Sequence, residues 1–191
     1  MKNLNSSKIL YISLDGIMEP LGFSQVYKYL EKLSKNYKIN LITLEKASDL
    51  KRYDALEILE KKCCANQIHW HRLKYRSGWW GMGQLFNIIN LIITPFYLLI
   101  KHKISIIHIR SYMPGLAIPI LSVFFRFKFI FDIRGFWADE KADRLNWNRA
   151  SFKYKFFKAL ENFLMKRADY IVTLTQDSKG IIAKNFSKDL S

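Results

Sequence analysis

Residues 8–46 constrain the fold more than any other segment, because they read as strand, turn, helix and second strand in succession. Ile9, Leu10, Tyr11 and Ile12 form a short apolar run, the pattern of a strand buried on both faces of a parallel sheet. Asp15-Gly16 and Pro20-Leu21-Gly22 then interrupt the chain twice. Ser24 is placed to cap a helix whose apolar positions Val26, Leu30 and Leu33 recur at helical spacing, with Tyr37 extending the stripe. Ile39 to Leu44 supplies the second strand. Such a β-α-β unit aims loop N–H groups and a helix N-terminus at the sheet edge, where the favoured guest is an anion. The D-G-x5-G spacing is neither a dinucleotide fingerprint nor a P-loop, and turn geometry alone is a sufficient reason for both glycines.

The alternation continues along the chain. A charged helix is expected over Asp49 to Lys62, a strand over Gln67 to Leu73, and a glycine-rich loop bearing Trp79 and Trp80 over Ser77 to Gly83. An apolar stretch follows from Leu85 to Ile100. Further strands are predicted at Ser105 to Ile109, Phe127 to Ile133 and Tyr170 to Leu174. Helices are predicted from Pro114 to about Phe125, Ser151 to Arg167 and Gln176 to Asn185, with Arg134 to Arg149 a long charged loop. This order calls for a mainly parallel sheet with helices on both faces, a Rossmann-like, doubly wound α/β fold. A length of 191 residues suffices for one such unit and not for two, so residues 1–191 are expected to form a single domain.

Thirty-one Lys and Arg against 16 Asp and Glu imply an anionic partner: nucleic acid, an acidic lipid surface or a phosphorylated substrate. A nucleic-acid-binding α/β domain would explain the charge, yet the aromatics fall at core-like positions and no basic recognition helix or RNA-stacking signature is evident. The uncharged interval Ser77 to Ile100 reads poorly as a bilayer span. Its purely apolar part, Leu91 to Ile100, is short and contains Pro95, and Gln84, Asn87 and Asn90 sit in the same window. A core helix is expected there. The alternative is an interfacial helix, with Trp79 and Trp80 at its entrance and Lys101, His102 and Lys103 at its exit. Phe152 to Arg167 has a similar pair of readings. Phe156, Leu160, Phe163 and Leu164 form a stripe expected to face the sheet, while Lys153, Lys155, Lys158, Lys166 and Arg167 suit an anionic membrane. Adjacent Cys63 and Cys64 would be strained as a disulfide and have no metal-ligand spacing, which suggests two idle thiols in a reducing cytosol. Met1 to Ser7 is polar, and no signal peptide is read there.

The second informative segment is Phe129 to Trp147. A hydrophobic strand ends in Asp132-Ile133-Arg134-Gly135, followed by Trp137, Asp139 and Glu140. Charged residues at the carboxyl end of a buried strand stand where open α/β sheets build their sites. Asp139 and Glu140 are suited to act as general bases or to orient a sugar hydroxyl. Arg134 is suited to neutralise phosphate, with a fork geometry that Lys lacks. An Asp–Arg pair that merely ties down the loop explains the same residues equally well.

Three separated stretches together resemble the N-terminal domain of family-4 (GT-B fold) glycosyltransferases, over about Lys8 to Ala183. They are the D-G-x-x-x-P-L-G-x-S-Q-V loop after the first strand, and D-x-R-G-x-W-x-D-E after the fifth strand. The third is the A-D-x-I-V-x-L-T run from Ala168 to Thr175, and the strand from His108 to Tyr112 sits at the equivalent earlier position. The resemblance implies half of a retaining enzyme built from two Rossmann-like domains, which moves a sugar from a nucleotide-sugar donor to a lipid-linked or polysaccharide acceptor in surface glycan synthesis. It implies a donor-phosphate loop of Asp15, Gly16, Gly22 and Ser24, with Gly22 near the diphosphate and Ser24 capping the helix behind it. It implies Asp132, Arg134 and Glu140 as the catalytic set, and Arg110, Ser111, Trp137 and Asp139 toward the acceptor. No cofactor and no metal is implied, since basic side chains and helix N-termini handle the leaving-group charge. The expected setting is cytoplasmic, at the inner face of the plasma membrane.

Two departures from that pattern matter. Arg134 stands where many relatives place a histidine, and a permanently charged guanidinium is an electrostatic element and not a base. The paired-glutamate motif of the nucleotide-sugar domain is absent from these 191 residues, so that domain is expected in cis or in trans and the isolated chain is expected to be inactive. A non-catalytic, membrane-docking subunit of a split glycosyltransferase is the alternative of a different class.

Overall fold

In the computed structural model, which describes residues 8–77 and 81–186, the first strand's apolar run lies in the middle of a six-stranded sheet. The strands are β1 (Lys8–Ser13), β2 (Lys38–Glu45), β3 (Ile68–Lys74), β4 (Ile106–Arg110), β5 (Lys128–Ile133) and β6 (Tyr170–Thr173). All pairs are parallel, in the order β3-β2-β1-β4-β5-β6. Parallel pairing demands a crossover between successive strands, and helices supply it. The first is α1, in which an α-helical turn (Pro20–Gly22), a π-helical stretch (Phe23–Tyr27) and an α-helical end (Lys28–Leu33) run on as one. Then come α2 (Ala47–Leu50), α3 (Tyr53–Ala65) and α4 (Met82–Lys101). A 3₁₀ turn (Pro114–Leu116) leads into α5 (Ala117–Phe124), followed by α6 (Trp137–Leu145), α7 (Phe152–Arg167) and α8 (Gln176–Phe186).

Both sheet faces are covered, which is why the central strands are apolar almost throughout. Leu10, Ile12, Ile107, Ile109, Phe129 and Phe131 pack on one side with Leu91 and Leu98 of α4, Ile118 and Leu121 of α5, and Leu160 and Leu164 of α7. Tyr11, Ile39, Leu41 and Ile68 pack on the other with Val26 and Leu30 of α1 and Leu59 of α3. The expected doubly wound, Rossmann-like α/β fold is therefore the observed one. Sheet order reverses direction between β1 and β4, and the carboxyl ends at such a switch point are where open α/β sheets place a ligand crevice.

Several local expectations are corrected. Ser24 does not cap a helix: α1 starts at Pro20, where the proline's fixed φ and missing N–H suit the first helical position. Ser24 lies inside α1, exposed, its Oγ donating to the Leu21 carbonyl at 3.1 Å. Pro20-Leu21-Gly22 thus begins the helix and does not break the chain. The single helix expected over Asp49 to Lys62 is two, divided between Leu50 and Tyr53. The charged loop after β5 contains α6, which brings Trp137, Asp139 and Glu140 onto a helix. In α7 the buried residues are Leu160, Glu161, Leu164 and Met165, while Phe156 and Phe163 are exposed, so the four-residue apolar stripe is split. The apolar helix α4 is not an ordinary core helix either, since only about a third of its apolar window is buried. Trp79 and Trp80, assigned to its entrance, lie outside the described residues. Cys63 is buried and Cys64 exposed, both free, and burial pushes the Cys63 thiol up to about 12.

Candidate functional site

Alternate residues of a strand point to one face, and the register turns this rule into a polar cluster at the crevice. Ser13, Arg110 and Asp132 stand level on β1, β4 and β5, and Tyr11 and His108 stand level one pleat deeper. All five project toward α1.

Arg110 is almost fully buried. Its Nε donates to Asp15 Oδ2 at 3.0 Å, and an Nη donates to Gln25 Oε1 of α1. Arg134, just past the end of β5, donates from an Nη to Asp132 Oδ2 at 2.8 Å. Burial raises the Asp132 carboxyl above its ordinary range, against the pull of Arg134 and Arg110. His108 contacts the rings of Tyr11 and Tyr29, at centroid distances of 4.5 Å and 5.9 Å. Burial, with Arg134 and Arg110 adding to it, drives its imidazole down to about 3, so the ring is neutral at physiological pH. Ser111 follows β4 with φ of 72°, and its N–H donates to the Asp132 carbonyl at 3.0 Å.

Four buried atoms in this cluster have no hydrogen-bond partner among the described residues: His108 Nε2, Arg110 Nη1, Asp132 Oδ1 and Arg134 Nε. Buried polar groups are ordinarily satisfied, so four unsatisfied ones at the tips of two adjacent strands mark a place built to meet a polar guest. The guest offered two arginine donors, one carboxylate oxygen and an imidazole nitrogen whose role depends on its tautomer would be both anionic and hydroxylated.

The β1–α1 loop behaves differently from expectation. Glu45, buried at the end of β2, accepts from the Ile17 N–H at 2.8 Å, the Met18 N–H at 3.2 Å and Thr43 Oγ1 at 2.6 Å. Those two loop amides therefore already hold an anion that belongs to the chain. A Cβ on Gly16 would meet the Glu45 carboxylate, and one on Gly22 would run into the Gly16 carbonyl oxygen. The glycines are explained by this close approach of helix, loop and carboxylate. Asp15, which closes the loop, is the member of the predicted phosphate loop that joins the polar cluster.

The D-x-R-G-x-W-x-D-E residues divide. Asp132 and Arg134 belong to the cluster. Trp137 turns away, its ring edge-on to Trp147 at 5.5 Å and Phe157 at 4.6 Å. Asp139 accepts from Tyr154 Oη at 2.6 Å and Lys158 Nζ at 2.9 Å, which ties α6 to α7 and holds its carboxyl below the ordinary range despite partial burial. Glu140 is exposed, its carboxylate resting where a Cβ on Gly135 would lie, and Gly135 has φ of 150°. Gln25, Glu45, His108 and Tyr29 were not singled out from the sequence. The rule that flagged Asp132 also applies to Glu45, a carboxylate at the end of a buried strand; His108 is two residues before Arg110 on the same face.

Comparison with solved structures places the fold. Sucrose-phosphate synthase from Thermosynechococcus elongatus superposes with a TM-score of 0.62 at 11% identity, over 97% of this chain and 47% of that one. TcCGT1 in complex with UDP gives 0.59 at 11% identity, over 97% and 50%. The fold is half of a GT-B glycosyltransferase fold. A UGT transferase from Siraitia grosvenorii in complex with UDP gives 0.56 at 8% identity, over 95% and 48%. The chain thus spans about half the length of each of these enzymes. No family model and no curated protein sequence matches it.

Proposed function

We propose that this chain is the acceptor-side half of a glycosyltransferase that uses a nucleotide-sugar donor. The observation that carries the reading is the arginine pair, Arg110 and Arg134, each with a buried unpaired N–H, beside Asp132 at the carboxyl ends of β4 and β5. In sugar transfer, the bond from the anomeric carbon to the phosphate oxygen breaks, the acceptor hydroxyl oxygen bonds that carbon, and a nucleoside diphosphate departs. Negative charge grows on the departing phosphate, and fixed guanidinium donors stabilise it without reorganising. Asp132 Oδ1 is the acceptor for a sugar hydroxyl proton, and its upward-shifted carboxyl suits it to take that proton on. Glu140, at the mouth of the same loop, orients the acceptor. The UDP found with TcCGT1 and the Siraitia enzyme supports a uridine-type donor here.

The finer reading rests on the sequence resemblance. It is a retaining reaction, without a required metal, on a lipid-linked or glycan acceptor at the cytoplasmic face of a membrane. A second domain, in cis or in trans, supplies the nucleotide site. The test is transfer of radiolabelled sugar by the protein joined to that domain. Arg134→Ala is expected to lower kcat/KM about 100-fold with Tm little changed. Unaltered turnover in that variant defeats the proposal.

A further inference from the structure

Helix α4 is apolar on both sides. Its inner residues Leu91, Pro95, Leu98 and Leu99 pack into the core. Its outer residues Leu85, Phe86, Ile89, Ile93, Tyr97 and Ile100 recur at helical spacing and are all exposed. Beside it, α5 adds Val123 and Phe124, which are 77% and 64% exposed, and the Phe96 ring of α4 meets Phe124 at 5.5 Å. Scattered exposed leucines are ordinary; a continuous row along two packed helices is not.

Basic residues dominate the charge around this face. From Glu60 to Asp132 the sequence holds no acidic residue and ten Lys or Arg. Arg76 lies over the Phe86 ring at 4.9 Å at one end of the outer row, and Lys101 over Tyr97 at 5.5 Å at the other. Where α4 and α5 end, a hollow of about 720 Å³ is lined by Lys103, Arg126, Lys128 and Arg167. Lys128 and Arg167 reach Asp169, whereas Lys103 and Arg126 have no ion pair among the described residues. Ser122 Oγ, in the wall of the hollow, has no hydrogen-bond partner there.

We infer that the outer face of α4 and α5 docks in the plane of an anionic lipid bilayer, with headgroup phosphates received by the Lys103–Arg126 hollow. The inner side of α4 is committed to the core, so the helix lies along the surface and does not cross it. Apolar side chains enter the acyl boundary while the cations at both ends of the row stay at headgroup level. A second copy of the chain fits less well, since two such faces would bring the same positive charge together. Helix α4 packs on the sheet face opposite α1, toward which the polar cluster projects, so docking does not cover that side. This inference does not depend on the transferase reading, and binding to vesicles is measured without any sugar donor.

The experiment is flotation of the full-length protein with phosphatidylcholine vesicles, with and without about 30% phosphatidylglycerol. Binding is expected only with the anionic lipid. The pair Ile93→Glu and Val123→Glu is expected to reduce it at least ~10-fold, and the pair Lys103→Gln and Arg126→Gln to reduce it several-fold and flatten its salt dependence. Circular dichroism checks each variant, and the lysine–arginine pair decides alone if the apolar pair does not fold. Absent flotation, equal flotation on pure phosphatidylcholine, or folded variants that float like wild type each overturn the inference. So does a soluble dimer, seen by sedimentation velocity, that the apolar pair disperses.

Discussion

At the scale of single residues, the crevice is decided by what burial does to polar groups. His108 is the clearest case: a histidine in a parallel sheet, its ring tilted against Tyr11, with two arginines nearby. Its folded-state affinity for a proton is depressed, so below the ordinary value of 6.5 the unfolded chain takes up a proton that the folded chain refuses. Stability must therefore fall as pH drops from about 6.5 toward 3, at up to about 1.4 kcal/mol per pH unit from this group. Urea unfolding at several pH values across that window should show a shallower slope in His108→Phe, which keeps an aromatic ring against Tyr11 and removes the titration. Equal slopes would mean that the ring is solvated or charged. The same depression removes His108 from any acid–base role near neutrality, leaving the arginines and Asp132 to act on a guest. Gly22 and Glu45 show the converse lesson. Gly22 has the residue type expected at an anion site and is spent on close packing against Gly16, while Glu45 itself occupies the loop amides an anion would use.

Among the elements, α1 and the α6–α7 pair position the site by different means. In α1 the π-helical stretch contains Gln25, which reaches across to Arg110, and such widened turns recur where helices carry function. The α6–α7 pair is a clamp. Tyr112 Oη lies 2.8 Å from the Gly135 carbonyl and 3.0 Å from Glu161 Oε2, and one hydroxyl proton serves only one of them. A proton on Glu161 satisfies both, and burial raises the Glu161 carboxyl despite Lys158 beside it. Glu161→Gln, whose amide also donates, is expected to retain near-native stability. Glu161→Ala is expected to lose about 2 kcal/mol by emptying a buried polar position and removing one of the two partners of Tyr112 and of Lys158, which keep the Gly135 carbonyl and Asp139. Chemical denaturation followed by Trp137 fluorescence distinguishes the two; equal losses would refute the protonated assignment. The clamp also explains why Trp137 and Asp139, equally plausible from the sequence as acceptor ligands, face α7.

For the whole molecule, the crevice lies at one end of the sheet, the cationic hollow at the other, and the apolar face runs between them. The chain spans about half the length of the solved structures whose fold it shares. On the proposed function, purified residues 1–191 should therefore show no sugar transfer above background in a radiolabel assay, and robust turnover would contradict the division of labour. What the sequence alone determined was the order of elements, the parallel sheet and the two stretches, after β1 and after β5, that carry Asp15, Asp132 and Arg134. Those depend on periodicity and turn chemistry, which are local, and on the rule that open sheets build sites at their carboxyl ends. The start of α1 was misplaced because Pro20 reads as a breaker from the sequence and as a first helical residue once the helix is seen. Only the tertiary structure decided which polar residues meet. Glu45 fills the β1–α1 loop, Gln25 holds Arg110, and Asp139 serves α7, because these pairings join residues from about 15 to 85 positions apart. The exposure of α4 is of the same kind: apolarity shows in the sequence, but whether that surface is spent in the core depends on the neighbours that the fold provides.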